Sequence, residues 1–343
     1  MPESKRPPMA VPSVAPSRSP IRRAIQAAVA IAVSVGALWI SFKDVELRAL
    51  LGRLASSHMP TIVVFVLAQM VIHVVRVFRW GLLVGPLGKV SNRAIFSAAS
   101  VGIPAAMFLP LRLGEFVRPA MIARAGVPFP AAMASVVTER LADGLTNVGL
   151  FFVLVLWMPP GTLPDQVRLY GQLALVGFGG ACLVLFFMVW ARDRSERVLL
   201  AILRPISPSL ADRVGAVFGA FVEGLRPLAQ PRRLVGFILL TLVYWAINGG
   251  MTTVLARSYG LDVPWLAGPF ATVVVVFAVT LPAGPAFAGT LQLGYLLGFR
   301  PFGVTDDQAA LVAIAVHLIQ ITSQAGLMGL GFLTAEPSQR RRE

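Results

Sequence analysis

The chain has 343 residues, 56% of them hydrophobic and only 13% charged, with a mean hydropathy of +0.75. This balance excludes a soluble globular domain and indicates an all-α polytopic membrane protein. The formal net charge of +14 does not call for nucleic acid as a partner, because the basic residues fall in short segments between apolar runs, as positive-inside loops require.

Residues 1–23, "MPESKRPPMAVPSVAPSRSPIRR", combine Pro, Ser and positive charge with little to bury, and are expected to form a disordered cytoplasmic tail. A transmembrane domain is expected over 24–333, with a second basic cytoplasmic tail at 334–343. A span needs about 20 apolar residues. Six segments supply them: 24–42, 60–83, 138–158, 169–191, 234–256 and 308–333. The first is read as a retained span, since it lacks a small-residue cleavage site. Residues 43–58 and 209–228 alternate apolar and charged positions with helical period, as helices lying flat on a membrane do; the second equally fits a loop helix packing through Gly215 and Gly219.

Two apolar stretches, 94–111 and 265–298, are interrupted by Pro and Gly. Loop charge assigns the sides: Lys89 and Arg93 follow the 60–83 segment, and residues 192–233 carry eight arginines against four acids, while 159–168 and 257–264 are nearly bare. Both termini then lie in the cytoplasm. The count closes if each interrupted stretch enters the bilayer and returns to its own side, giving about six full spans plus two re-entrant or broken-helix hairpins in inverted halves. "FLPLRLGE" at the first break and "TLPAGPAFAGTLQ" at the second each pair Leu-Pro with a later Gly. Pro110 and Gly114 mark the first turn, and Pro282, Gly289, Thr290 and Gln292 the second. Interrupted helices in matching positions of two halves point to a midplane transport site. Two ordinary kinked spans are the alternative.

Ionisable side chains inside a membrane cost about 2.5–3.5 kcal/mol each and are therefore candidate functional groups. Gln69, His73, Arg76 and Trp80 share one helical face. Arg79 and Trp80 are read as interface markers, the arginine snorkelling and the Trp in the aromatic belt. Arg112, Glu115 and Arg118 are spaced three apart, so a helix starting near Gly114 would gather their heads around its N-terminus. Two guanidiniums against one carboxylate suit a phosphate. Glu139, Asp143 and Asn147 form another face, with Arg140 beside it. An internal ion-pair lock between these acids and Arg112 or Arg118 is equally open. Tyr244, Asn248 and Thr252 form a stripe explained by interhelical hydrogen bonds, and His317, Gln320 and Gln324 form another, with His317 a candidate proton carrier.

No catalytic signature is present, and the histidines at 58, 73 and 317 lack metal-ligand spacing, so no catalytic residue, metal or other cofactor is expected. Cys182 is the single cysteine, which rules out an internal disulfide.

"RVFRW", "FLPLRLGEFVRP", "ASVVTERLADG", "LPAGPAFAGTLQ" and "VHLIQI" together resemble the flippase-like membrane family related to the transmembrane region of lysylphosphatidylglycerol synthase, over about residues 24–333. The resemblance implies an inner-membrane protein that moves an anionic or modified phospholipid, or a polyprenyl- or hopanoid-type lipid, between leaflets. It places Arg112, Gly114, Glu115, Arg118, Glu139, Arg140 and Asp143 in the main motif and Pro282, Gly289 and Thr290 in the second. Neutral Gln292 stands where the family often has an acid or histidine. Lipid aminoacylation by this chain is not expected, since ten residues follow the last span. The expected partner is a membrane lipid with a phosphate-bearing headgroup, with a lipid-synthesis enzyme as a second. An enzyme acting on a polyprenyl-phosphate or hopanoid lipid, and a scaffold for a synthase, are the competing readings.

Overall fold

The computed structural model describes residues 59–335 apart from 159–160, 164, 206, 226, 228–229 and 281–284. The segments 24–42 and 43–58, the N-terminal tail, residues 336–343 of the C-terminal tail and Pro282 lie outside the described residues. Among the described residues eleven α-helices run in order: α1 (Met59–Val84), α2 (Asn92–Phe108), α3 (Val117–Ala123), α4 (Phe129–Val155), α5 (Asp165–Trp190), α6 (Arg192–Leu203), α7 (Pro208–Leu225), α8 (Pro231–Ser258), α9 (Ala267–Ala278), α10 (Thr290–Phe299) and α11 (Asp306–Thr334). No strand occurs among the described residues.

Four of these helices are long and apolar enough to cross a membrane: Met59–Leu87, Val167–Val184, Pro231–Ser258 and Asp306–Thr334. They coincide with four of the segments expected from the sequence. The expected span at 138–158 belongs to α4, whose 27 residues reach roughly 40 Å but carry Glu139, Arg140 and Asp143 in the middle. Of the expected surface helices, α7 is described: it packs on α4, where Gly224 meets the backbone of Ala131, and Gly215 faces Leu200 of α6. Gly219 meets nothing, so one of the two expected contact glycines is used.

Both interrupted stretches fold back on themselves. Ser91 caps α2 by accepting from the Ala94 amide, and α2 ends at Phe108 because Pro110 forces Leu109 into an extended conformation (φ −82°, ψ 137°). Tight 3₁₀ turns over Pro110–Phe116 reverse the chain, and α3 begins only at Val117, three residues after the glycine expected to start it. The returning strand of chain lies directly on α2: a Cβ on Gly114 would sit 2.0 Å from the Ala105 carbonyl carbon, and one on Gly102 would sit 2.6 Å from the Arg118 Cβ. The ends close as well, since Gly88 faces Val127. In the second half α10 returns along α9, with Gly294 against Val275 and Gly298 against Ala271. Gly289 (φ 84°) starts α10, and its amide donates to the Gln292 side chain at 2.8 Å. Leu261, Val263, Phe299 and Val304 join one apolar cluster, so this hairpin also closes at its base.

The helices flanking the hairpins cross in opposite directions. Leu82 of α1 lies near Gly236 of α8, Arg79 near Thr241, Arg76 over Tyr244, and Phe65 clusters with Leu255 and Ala256. On α2 and α11, Arg93 bonds the Thr334 carbonyl and Ser97 that of Gly331. The α1/α8 pair and the two hairpins enclose the middle of the molecule.

Candidate functional site

The polar side chains of α1, the first hairpin and α4 converge on one buried ion network. Arg79 is fully buried and forks between two carboxylates, donating to Glu139 at 2.5 Å and to Asp143 at 2.5 and 3.0 Å. Glu139 is equally buried and turns its other oxygen to Arg118 Nη1 at 2.5 Å. Asp143 also faces Arg140 at 3.7 Å, and Glu115 faces Arg118 and Arg140, each at 3.8 Å. The one-turn spacing of Glu139 and Asp143 on α4 makes this possible, because both carboxylates reach the same guanidinium plane.

This corrects the reading of Arg79 and Trp80 as interface markers. Both have no exposed surface; the Trp80 indole donates to Ser135 at 3.0 Å and stacks under Arg118 at 5.2 Å. A doublet near the end of an apolar run is the usual signature of a snorkelling arginine, and what distinguishes Arg79 is the pair of acids 60 and 64 positions later. Their convergence is a tertiary fact that spacing along the chain does not carry.

Arg112 departs from the expected grouping in another way. Its backbone is left-handed (φ 54°), and its guanidinium reaches across to the second hairpin, donating to the Val279 carbonyl at 2.5 Å and lying 5.3 Å from the Phe287 ring. Ala286 and Phe287, both at φ 57°, mark the facing break. Every left-handed non-glycine among the described residues thus sits where the two hairpin tips meet. Such conformations cost about 1–3 kcal/mol each and persist where surrounding contacts impose them.

The second hairpin is held by a neutral relay. His317 Nε2 lies 2.7 Å from the Ala286 carbonyl, which only accepts, so this nitrogen donates. Nδ1 must then accept from Gln292 Nε2 at 2.9 Å, which agrees with Gln292 Oε1 accepting from Gly289. Thr290 is buried and donates to the Phe287 carbonyl. His73, by contrast, pairs with Ser100 at 2.8 Å.

Between these parts lies a cavity of about 470 Å³. Arg76, Arg112, Arg118, Arg140, Glu115 and Asp143 form its charged wall, while Gln69, Tyr244, Asn248, Gln320 and Gln324 contribute neutral polar groups. The stripe on α8 bonds largely within its own helix: Asn248 donates to the Tyr244 carbonyl and Thr252 to that of Asn248, with Thr272 to Thr252 as the interhelical contact. Five arginines surround three carboxylates. Arg76 and Arg112 have no carboxylate within 4 Å among the described residues, and Arg76 Nε, Trp245 Nε1 and Gln324 Oε1 are buried without a hydrogen-bond partner. No group of three or more His, Cys, Asp or Glu suited to a metal occurs among the described residues.

Comparison with known proteins agrees with this architecture. The Glycosyltransferase AglD of Haloferax volcanii is 27% identical over 234 residues, which cover 60% of this chain and 38% of that relative. The shared stretch is therefore a minor part of the relative's length. The family described as the lysylphosphatidylglycerol synthase TM region matches residues 27–326, including both hairpins and the arginine–carboxylate network. The chain belongs to this family of membrane proteins.

Proposed function

We propose that the protein is a lipid translocator whose central cavity receives a phosphate-bearing headgroup. One observation carries this reading: the cavity wall holds two more arginines than carboxylates, and the surplus guanidiniums of Arg76 and Arg112 face the open volume. Arg76 and Arg112 are half-buried, and a phosphate oxygen accepting from a guanidinium fork offsets the cost of partly desolvating a cation that has no anion. Glu139, Asp143 and Glu115 already have arginine partners, so an ammonium headgroup would find no unclaimed carboxylate. An anionic headgroup is favoured over a cationic one.

In this reading Arg140, Arg76 and Arg112 contact the headgroup, while Arg79, Glu139 and Arg118 hold the helices around it. The domain over 24–333 has both termini in the cytoplasm and two re-entrant hairpins in inverted halves. The antiparallel crossing of α1 with α8 and the closed bases of both hairpins support this topology. The hairpin tips meet at Arg112 and Val279, and their separation would open the cavity toward one face at a time.

Leaflet exchange of head-labelled lipids in proteoliposomes tests the proposal. Phosphate-bearing lipids are expected to exchange, phosphate-free lipids of equal chain length are not, and the lipid mass is expected to stay unchanged. A changed mass would favour an enzyme acting on a lipid phosphate, the reading that the name of the Haloferax relative supports. Absence of exchange and of turnover would favour a scaffold for a lipid-synthesis enzyme.

A further inference from the structure

A second cavity adjoins the first, and its chemistry is the opposite. It has a volume of about 400 Å³ and lies between α4, α5 and α9, where Leu173, Gly177 and Ala181 of α5 face Phe277 and Ala278 of α9. Thr280 is the one residue in its wall with a polar side chain. Leu141, Phe178 and Thr280 line both cavities, so the apolar slot and the arginine-lined chamber share a wall.

Two features of the chain keep the slot open. Gly177 has nothing within 4 Å of where a Cβ would sit, so an ordinary side chain there would project into space. The Phe178 ring abuts the bare backbone of Gly144, whose Cβ would fall 2.0 Å from it, and stands in the wall between slot and chamber. The outer wall, α5, faces outward along most of its length: Val176 is 75% exposed and Leu173 60%. A polar chamber beside an apolar slot, behind an apolar helix, matches the two halves of an amphiphile.

We infer that the slot between α4, α5 and α9 holds the hydrocarbon tail of the lipid whose phosphate headgroup sits in the chamber, with Phe178 at the neck. The inference rests on the translocator reading and adds a place for the part of the ligand that cannot enter an arginine-lined volume. Tail carbons in water or against unpaired guanidiniums are unfavourable, whereas the slot offers them an apolar wall. The tail therefore keeps an apolar surrounding throughout, and only the headgroup crosses through polar space. The lining sets the class of ligand: an anionic headgroup on an unbranched or prenyl chain narrow enough to pass Gly177.

The test uses the full chain in vesicles of neutral phospholipid containing a phosphatidic acid with a photoreactive diazirine near its chain end. Adducts are mapped by peptide mass spectrometry. Phe277 is 5% exposed and Ala278 2%, out of reach of lipid surrounding the protein, whereas Val176 is open to it. Adducts on Phe277 and Ala278 are expected in the wild type. In Gly177→Trp they should fall about tenfold, a loss of roughly 1.4 kcal/mol in occupancy, while adducts on Val176 persist. Gly177→Ala is expected to behave as wild type, and equal thermal melting of both variants separates occlusion from unfolding. Adducts confined to the outward face, or undiminished on Phe277 in a folded Gly177→Trp, would overturn the inference. Slot adducts in a wild type that exchanges no lipid would sink the translocator reading and leave the slot standing; exchange without slot adducts would do the reverse.

Discussion

Arg79 carries the heaviest structural duty of any single side chain in the site, because two carboxylates on α4 share its guanidinium in a fully buried setting. Replacing it by Met would leave Glu139 with Arg118 alone and Asp143 with a distant Arg140. Breaking such a buried pair costs about 3–5 kcal/mol, so Arg79→Met is expected to lower the melting temperature in detergent sharply. An unchanged melting temperature would show that the pairs are not holding the helices. Arg140 behaves differently: its side chain is 35% exposed and its ion contacts are 3.7–3.8 Å, so Arg140→Gln should melt close to wild type and fail in transport. The sequence made the charged members of the network visible, because ionisable residues stand out in an apolar chain. It did not separate the lock from the binding wall: Arg118, expected to contact the ligand, is 1% exposed and bonded to Glu139, whereas Arg76 is left without an acid.

The hairpins were the more legible elements, since a proline after Leu109 and a glycine before Thr290 act on the backbone locally and need no tertiary partner. What the sequence left out was how tightly the arms pack. Gly114 faces the Ala105 carbonyl at a separation that no Cβ tolerates, so Gly114→Ala should push the arms of the first hairpin apart. Transport is expected to be lost together with a melting shift of about 1–3 kcal/mol. Gly126→Ala tests a different property, because its surroundings are empty and only its φ of 97° is special; its cost should stay near that of backbone strain alone. If both variants melt alike, close packing of the arms is not what fixes the turn. The contact between Arg112 and Val279 was invisible in the sequence because it joins residues 167 positions apart and depends on both tips reaching the same place.

For the whole molecule, the antiparallel pairing of α1 with α8 and the closed bases of the hairpins support the proposed topology, which labelling can check. In a chain whose native cysteine is replaced, Ser91→Cys and Gly126→Cys flank the first hairpin and should react with an impermeant thiol reagent from one face. Gly260→Cys and Gly303→Cys flank the second and should react from the other. Labelling of residues 91 and 126 from opposite faces would make the first interrupted stretch a single kinked span. Four of the six expected spans appear as membrane-long apolar helices among the described residues and follow directly from hydropathy, but their pairing does not, because it depends on which glycines and small residues meet. In the proposed function, surplus arginine in the chamber receives a lipid phosphate. This is tested most directly by leaflet exchange of head-labelled phosphatidic acid in proteoliposomes, comparing wild type with the Arg76→Gln/Arg140→Gln double variant, which leaves the Arg79, Glu139 and Arg118 lock intact. Fast exchange is expected in the wild type and background exchange in a folded double variant; equal exchange in the two would show that these guanidiniums do not receive the phosphate.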